Sequence, residues 1–304
     1  MTIPPLGLGT WVFGGRDWGG QPRSDSIETL HSALDQGVRH IDTAQGYGSG
    51  LAEEIVGEVL SSRPDAQELF VATKTFTKTP AKLRDLIDRS RQRLKRDCID
   101  LYYLHWPRRN LDLRPLLAEL EEARQRGWIA SVGVSNFSTE DLESVREVAQ
   151  VDAIQLGWNL IWRQPERELI AYCREQEIPI VAYSVLAQGI LTGKFPEKPQ
   201  FAEDDFRPRT IPFRPEVWPH VHAFVQSAST LCQAYGYSLP QAAIAWLVTH
   251  GANSVLFGAR TPHQLQALLP LVELHSDFAA ELTALSDELQ PELPNTSNFF
   301  DYHP

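Results

Sequence analysis

Short apolar runs punctuate the chain at 6–10, 40–43, 69–73, 100–104, 131–134, 153–156, 179–184 and 254–257. Each is too short for a stable helix and is bounded by polar or glycine-containing segments, so each reads as a strand. The run Leu69-Phe70-Val71-Ala72-Thr73 has little polar alternation, which predicts a strand buried on both faces. The intervening segments follow the helical period instead. At 24–36, Ile27, Leu30, Ala33 and Leu34 share one face, and Gly37 supplies a C-terminal stop. At 80–94, Leu83, Leu86, Ile87 and Leu94 face inward from an otherwise charged helix. Further helical patterns fill 115–126, 138–150 and 165–176, the second opened by the short polar residues Ser138-Thr139-Glu140-Asp141.

Strands and helices that alternate in this way predict repeated βα units and a parallel sheet, either open and doubly wound or closed into a barrel. The polar residues decide between them. Asp42, Lys74 and His105 stand at C-terminal strand ends and Asn136 just beyond another, which suits a barrel whose strand ends all converge on one mouth. The expected fold is a (β/α)8 TIM barrel of eight parallel strands forming a single domain over 1–304, with the active-site mouth at the C-terminal strand ends. Two insertions break the rhythm. A proline-rich loop at about 196–219 contains Glu203-Asp204-Asp205, and an extra helix follows at 216–235. After the eighth strand come a short helix from 262, another at 278–289 and an irregular tail to 304.

Composition narrows the partners. A formal charge of −11 over 304 residues argues against nucleic acid, which needs clustered Lys and Arg, but leaves room for a small anion in a local basic pocket. Cys98, Cys173 and Cys232 are widely spaced and form no metal-ligand pattern, so neither disulfides nor a metal are expected. No basic segment leads into an apolar one at the N-terminus, and no run approaches about 18 apolar residues. A cytoplasmic protein without membrane partners is expected.

The strand-end residues suggest a chemistry. Lys is rarely buried without a partner, and Asp42 ends the neighbouring strand, so a Lys74–Asp42 pair is expected. A Lys ammonium beside the phenol of Tyr47 would lower its pKa toward the working range of an acid catalyst. His105 could donate a hydrogen bond to a carbonyl oxygen. Such a site can protonate a developing alkoxide but has no hydride, which a cofactor must bring. Trp11, Trp18, Trp106 and Trp162 lie beyond strand ends or in adjacent loops and are candidate walls of a substrate pocket.

Seven segments in order carry a family resemblance: Ile41-Asp42-Thr43-Ala44 with Gly46-Tyr47-Gly48, Ala52-Glu53-Glu54 with Val56-Gly57, Ala72-Thr73-Lys74, Asp100-Leu101-Tyr102-Tyr103-Leu104-His105, Val132-Gly133-Val134-Ser135-Asn136-Phe137, Leu186-Ala187-Gln188-Gly189-Ile190-Leu191-Thr192-Gly193-Lys194, and Gly258-Ala259-Arg260-Thr261. The chain resembles the aldo/keto reductases. That resemblance implies a (β/α)8 barrel, NADP(H) as cofactor, a small-molecule carbonyl substrate, and a catalytic tetrad of Asp42, Tyr47, Lys74 and His105. It implies that Ser135, Asn136 and Gln155 hold the nicotinamide carboxamide and that Tyr183 stacks under the ring. Ser184, Leu186, Gln188, Gly189, Leu191 and Lys194 would strap the pyrophosphate, and Gly258, Arg260, Thr261 and Gln264 would meet the adenosine end.

Departures from the family are visible too. About five residues precede the first strand, so the usual hairpin under the barrel is shortened or absent. Ala267 and Leu268 stand where many members carry Glu-Asn in the adenine pocket. Two other readings remain open at this point: a regulatory NADPH-binding subunit similar to potassium-channel β subunits, and an isomerase or aldolase barrel with Lys74 as Schiff-base former.

Overall fold

The computed structural model describes every residue except Arg16, Asp17, Asp204, Ser297, His303 and Pro304. The middle of the expected acidic triplet and the last two residues of the tail therefore lie outside the described residues. Eight strands, β1 (Leu6–Gly9), β2 (His40–Asp42), β3 (Phe70–Thr75), β4 (Leu101–Leu104), β5 (Val132–Ser135), β6 (Ala153–Gly157), β7 (Ile180–Tyr183) and β8 (Ser254–Phe257), close into a barrel in sequence order. All pairings are parallel, including the closing one between β1 and β8.

The absence of alternation in these strands now has its cause. One set of side chains, among them Ala72, Leu101, Tyr103, Ala153, Val181 and Leu256, fills the barrel. The alternate set, including Val71, Tyr102, Leu104 and Val134, packs outward beneath the helices. Both faces are buried, so both are apolar. Ile3, 8% exposed, joins the inner cluster from the short segment before β1. That segment is tied to β8, where the Ser254 hydroxyl donates to Pro4 O at 2.7 Å and Val255 N donates to Pro5 O at 2.9 Å. Among the described residues no strand precedes β1, so a single side chain helps close the barrel bottom. His40 also lies there. Because Ser254 spends its proton on Pro4, it accepts from His40 Nδ1 at 3.0 Å, which leaves Nε2 unprotonated and without a partner.

The helices are α1 (Arg23–Asp35), α2 (Leu51–Ser62), α3 (Pro80–Leu94), α4 (Arg114–Gln125), α5 (Thr139–Val145), α6 (Leu169–Glu175), α7 (Trp218–Tyr235), α8 (Leu239–Thr249), α9 (Pro262–Gln266) and α10 (Ser276–Leu289). Several expectations are corrected. The helix expected over 138–150 ends at Val145, since only Leu142 and Val145 anchor α5; Ser138 and Asp141 do form a reciprocal capping box. The pattern at 165–176 divides into a 3-10 turn, Gln164–Arg167, and α6, parted by non-helical backbone at Glu168. The pattern also missed α8. Eight of its eleven residues are buried, so it is apolar nearly all round and has no polar face to reveal its period. The loop at 196–219 is not structureless. It contains 3-10 turns at Arg207–Arg209 and Ile211–Phe213 and is packed by Phe195, Phe201, Phe213 and Trp218.

Candidate active site

Parallel closure brings all C-terminal strand ends to one rim, and a cavity of about 790 Å³ opens there. Its polar floor begins with Asp42, behind which Lys74 is buried. The Lys74 ammonium donates to Asp42 Oδ1 and, at 3.0 Å, to Thr43 O, while Gln155 Nε2 donates to the other carboxylate oxygen at 2.7 Å. Burial pushes the Asp42 carboxyl up and the Lys74 ammonium down, and each charge opposes the shift of the other. Lys74 is 1% exposed, and Asp42, not its ammonium, reaches the cavity wall. Such a lysine is not placed to attack a substrate carbonyl, which removes the support for the Schiff-base reading.

Tyr47 sits in the turn after β2. Gly14 and Gly48 bring that turn against the turn after β1: a Cβ on Gly14 would lie 2.6 Å from Gly48 N, and one on Gly48 would lie 2.6 Å from Gly14 O. This backbone contact carries Trp11 onto Tyr47, with ring centroids 5.9 Å apart and planes 15° from parallel. The Tyr47 ring lies 5.3 Å from Lys74 Nζ. The expected lowering of the phenol pKa is not what this geometry gives. Burial first, then the Asp42 charge and Tyr183, push it well above 10. Tyr47 is therefore fully protonated at neutral pH. His105 follows β4, stacked on Phe76 at 4.2 Å, with Nδ1 buried and without a hydrogen-bond partner. Burial and then Lys74 hold its pKa well below 6.5, so the imidazole is neutral.

Further round the rim, Tyr183 donates to Asn136 Oδ1 at 2.6 Å, and Asn136 Nδ2 donates to His105 O at 3.1 Å and to Ser135 Oγ at 2.9 Å. Asn136 holds this position with φ at 62°. After β7 the backbone is left-handed at Ser184, Ala187, Gln188 and Gly189. Gln188 Nε2 donates to Ser184 Oγ at 2.7 Å, and Gln188 Oε1 is buried without a partner. Leu186, Gly189 and Lys194 line the same side.

Arg260, together with Gly258 and Gln264, lines the far end of the cavity. Its guanidinium is not idle: it donates to Trp18 O at 2.9 Å, to Gly20 O and to Gln21 Oε1 at 3.4 Å, while its own N–H reaches Gln264 Oε1 at 2.8 Å. It thereby clasps the loop after β1 to the rim.

Three expected residues stand elsewhere. Trp162 is 1% exposed and packs edge-on against Phe299 at 5.9 Å, as core rather than pocket wall. Leu191 is fully buried behind the strap, and Thr261 is exposed at the start of α9; neither is on the cavity wall. The cavity also has walls that the sequence did not reveal. Arg207, held by Asp205 at 2.9 Å and set over Trp18 at 5.9 Å, belongs to the long loop. Phe76, Phe206, His263, Phe300 and Tyr302 complete it. The Arg207-Pro208-Arg209 triplet in an acidic loop was a usable signal for the first. Nothing marked Phe300 and Tyr302 in the irregular tail.

The Aldo/keto reductase family profile matches residues 5–287. The chain belongs to the aldo/keto reductase family. It is thus an oxidoreductase of the kind that acts on carbonyls. Over 306 aligned residues it is 35% identical to aldo-keto reductase YhdN of Bacillus subtilis (strain 168), covering 94% of this chain and 92% of the relative. It is 30% identical to the NADH-specific methylglyoxal reductase of Escherichia coli (strain K12), covering 93% and 94%. Among solved structures, an aldo/keto reductase from Klebsiella pneumoniae in complex with NADP and acetate superposes with a TM-score of 0.76 at 26% identity, covering 98% of this chain and 94% of that one. Among the described residues no helix is long and apolar enough to cross a membrane.

Proposed function

We propose that this aldo/keto reductase reduces aldehyde or ketone carbonyls to alcohols with NADPH, and that Tyr47 is the proton donor. The observation that carries the reading is the convergence of a protonated Tyr47, a neutral His105 and the buried Lys74–Asp42 pair on one cavity. When bound, the dinucleotide supplies the hydride to the carbonyl carbon and leaves oxidised. The phenolic proton of Tyr47 goes to the carbonyl oxygen, which completes the alcohol. His105, neutral and with a free N–H to give, orients that oxygen. Lys74 offsets the negative charge left on Tyr47, and Asp42 and Gln155 keep its ammonium in place.

The residues present suit such a dinucleotide. Asn136 and Ser135 offer amide and hydroxyl groups to a carboxamide, and Tyr183 offers a ring face. The left-handed run after β7 carries Gln188 and Gly189 onto the cavity wall beside Lys194, a place for the pyrophosphate. Lys194, whose pKa burial, Arg207 and Arg260 all push down, lies among cations, with Asp205 the opposing charge among the described residues, an arrangement an anion relieves. Arg260 is suited to a 2′-phosphate through the guanidinium N–H groups that the clasp leaves unused. Ala267, Leu268 and Pro240 give the far end an apolar wall beside Gln264. The NADP-bound Klebsiella structure supports the choice of NADPH, and the guanidinium of Arg260 is the group here suited to tell a 2′-phosphate from a hydroxyl.

Screening aldehydes and ketones with NADPH and with NADH, followed by loss of the dihydronicotinamide absorbance, tests the reading. Turnover with NADPH is expected. Tight NADPH binding without turnover of any carbonyl would instead favour the regulatory-subunit alternative.

A further inference from the structure

Beneath the cavity floor lies a large side chain to which the proposed chemistry gives no role. Tyr103 points inward from β4, where its Cα is paired with that of Lys74, and it is completely buried. The adjacent strand makes room for it. A Cβ on Gly133 would lie 2.3 Å from Tyr103 Cδ1 and 2.6 Å from Cε1, so any larger residue there would drive the ring out of place. Thus seated, the ring centroid is 6.0 Å from Lys74 Nζ, and Lys74 has two tyrosine rings, Tyr47 and Tyr103, within cation–π range. The Tyr103 hydroxyl makes no hydrogen bond of ordinary geometry, although it stands near enough to Gln155 to feel that amide. What the residue presents to Lys74 is its ring.

We propose that Tyr103 is a positioning residue for the acid catalyst, its ring holding the Lys74 ammonium charged and in place beside Tyr47. The claim rests on the catalytic roles proposed above. The groups facing Lys74 are His40 and Asp42 from β2, Tyr47 from the turn beyond it, Glu53 from α2, and Tyr103 and His105 from β4. The carboxylates of Asp42 and Glu53 favour the ammonium and burial opposes it, whereas His40 and His105 are held neutral and add no competing charge. In a desolvated site the quadrupole of a ring counts on the side of the carboxylates. Removing it lets burial gain, and the amine gives up its proton at lower pH.

The experiment compares Tyr103→Phe, Tyr103→Leu and Gly133→Ala with wild type. Two readouts are taken: the pH dependence of kcat with NADPH and an aldehyde, and the titration of Lys74 by NMR of protein labelled with ¹³C at lysine Cε, assigned by Lys74→Met. Tyr103→Phe keeps both curves and melts no lower, because it keeps the ring and loses a hydroxyl whose contact with Gln155 falls short of hydrogen-bond geometry. Tyr103→Leu moves the Lys74 titration and the alkaline limb of kcat down by roughly half a unit to one unit, the size of a desolvated cation–ring contact. Its cofactor Kd is unchanged. Gly133→Ala lowers the melting temperature, and adding Tyr103→Leu restores the melting temperature but not the alkaline limb. A Tyr103→Leu protein with the wild-type Lys74 titration overturns the proposal. So does a Tyr103→Phe protein that shifts as far as Tyr103→Leu. Should Tyr103→Leu fail to fold, Tyr103→Met makes the same comparison. Because the NMR titration needs no turnover, absence of carbonyl reduction would remove the catalytic reading while the coupling of Tyr103 to Lys74 is still decided.

Discussion

The molecule holds its functional charges in two different ways. At the strand ends, Lys74 and Asp42 are 1% and 3% exposed, paired with each other and saturated by Thr43 and Gln155. At the far end, Lys194, Arg207 and Arg260 sit on loops and are partly exposed, with Asp205 to balance them among the described residues; Arg260 is occupied chiefly by backbone carbonyls. The difference follows from what each scaffold can do. Neighbouring strands fix two side chains within hydrogen-bond reach, so a buried pair can be kept compensated and serve chemistry. Loops leave cations under-compensated, and an under-compensated cation binds anions. On the roles proposed above, reaction type is tied to the barrel and cofactor choice to its loops.

The sharpest way to break this contrast is to remove the buried cation. Lys74→Met leaves Asp42 without its counter-charge inside the barrel, and a loss of about 3 to 5 kcal/mol is expected, together with loss of turnover. Urea unfolding of both proteins checks it; a variant as stable as wild type would show that the pair is not interdependent. Removing the proposed acid instead should spare the fold. Tyr47→Phe is expected to lower turnover by at least about 100-fold, with cofactor binding and melting unchanged.

At the loop-held end the effect should be selective. Arg260→Ala is expected to weaken NADPH by roughly 10- to 100-fold, the worth of one charge-assisted contact, and NADH by less. Because Arg260 also clasps Trp18 and Gly20, a small loss common to both cofactors is expected from the loosened loop. Titrations followed by tryptophan fluorescence separate the two, and equal losses would leave the clasp as its only role.

Compensation is tested again at the barrel bottom, where His40 is buried with no carboxylate partner among the described residues. Burial, then Lys74, lowers its pKa from 6.5 to about 3. Below pH 6.5 the unfolded chain takes up a proton that the folded chain refuses until about pH 3, so stability falls as pH drops across this window. The slope from this residue is about 1.4 kcal/mol per pH unit. His40→Gln should flatten the dependence between pH 6.5 and 4 by about that amount, measured by urea unfolding at several pH values. An unchanged slope would mean that His40 charges without unfolding the barrel.

Much of this was written in local sequence. Apolar runs of strand length with no alternation can be satisfied only by burial on both faces, and the helical periods between them require parallel crossover, so the barrel follows from pattern and strand-end chemistry. Asp42 and Lys74 were legible because a polar residue that ends an apolar strand must find a partner on the next one, and His105 because it ends the strand beside them. Other features depended on what distant segments meet. The period of α8 was invisible because neighbours surround it. Trp162 resembled a pocket wall until Phe299 covered it, and Phe300 and Tyr302 became walls only because the tail folds back over the mouth. The sign of the Tyr47 shift likewise rests on how little water is left around the phenol and on the nearness of the Asp42 charge. Local sequence carries periodicity and the partners that chemistry demands. Long-range packing decides which surfaces are covered, and covering sets both the desolvation and the shape of the pocket.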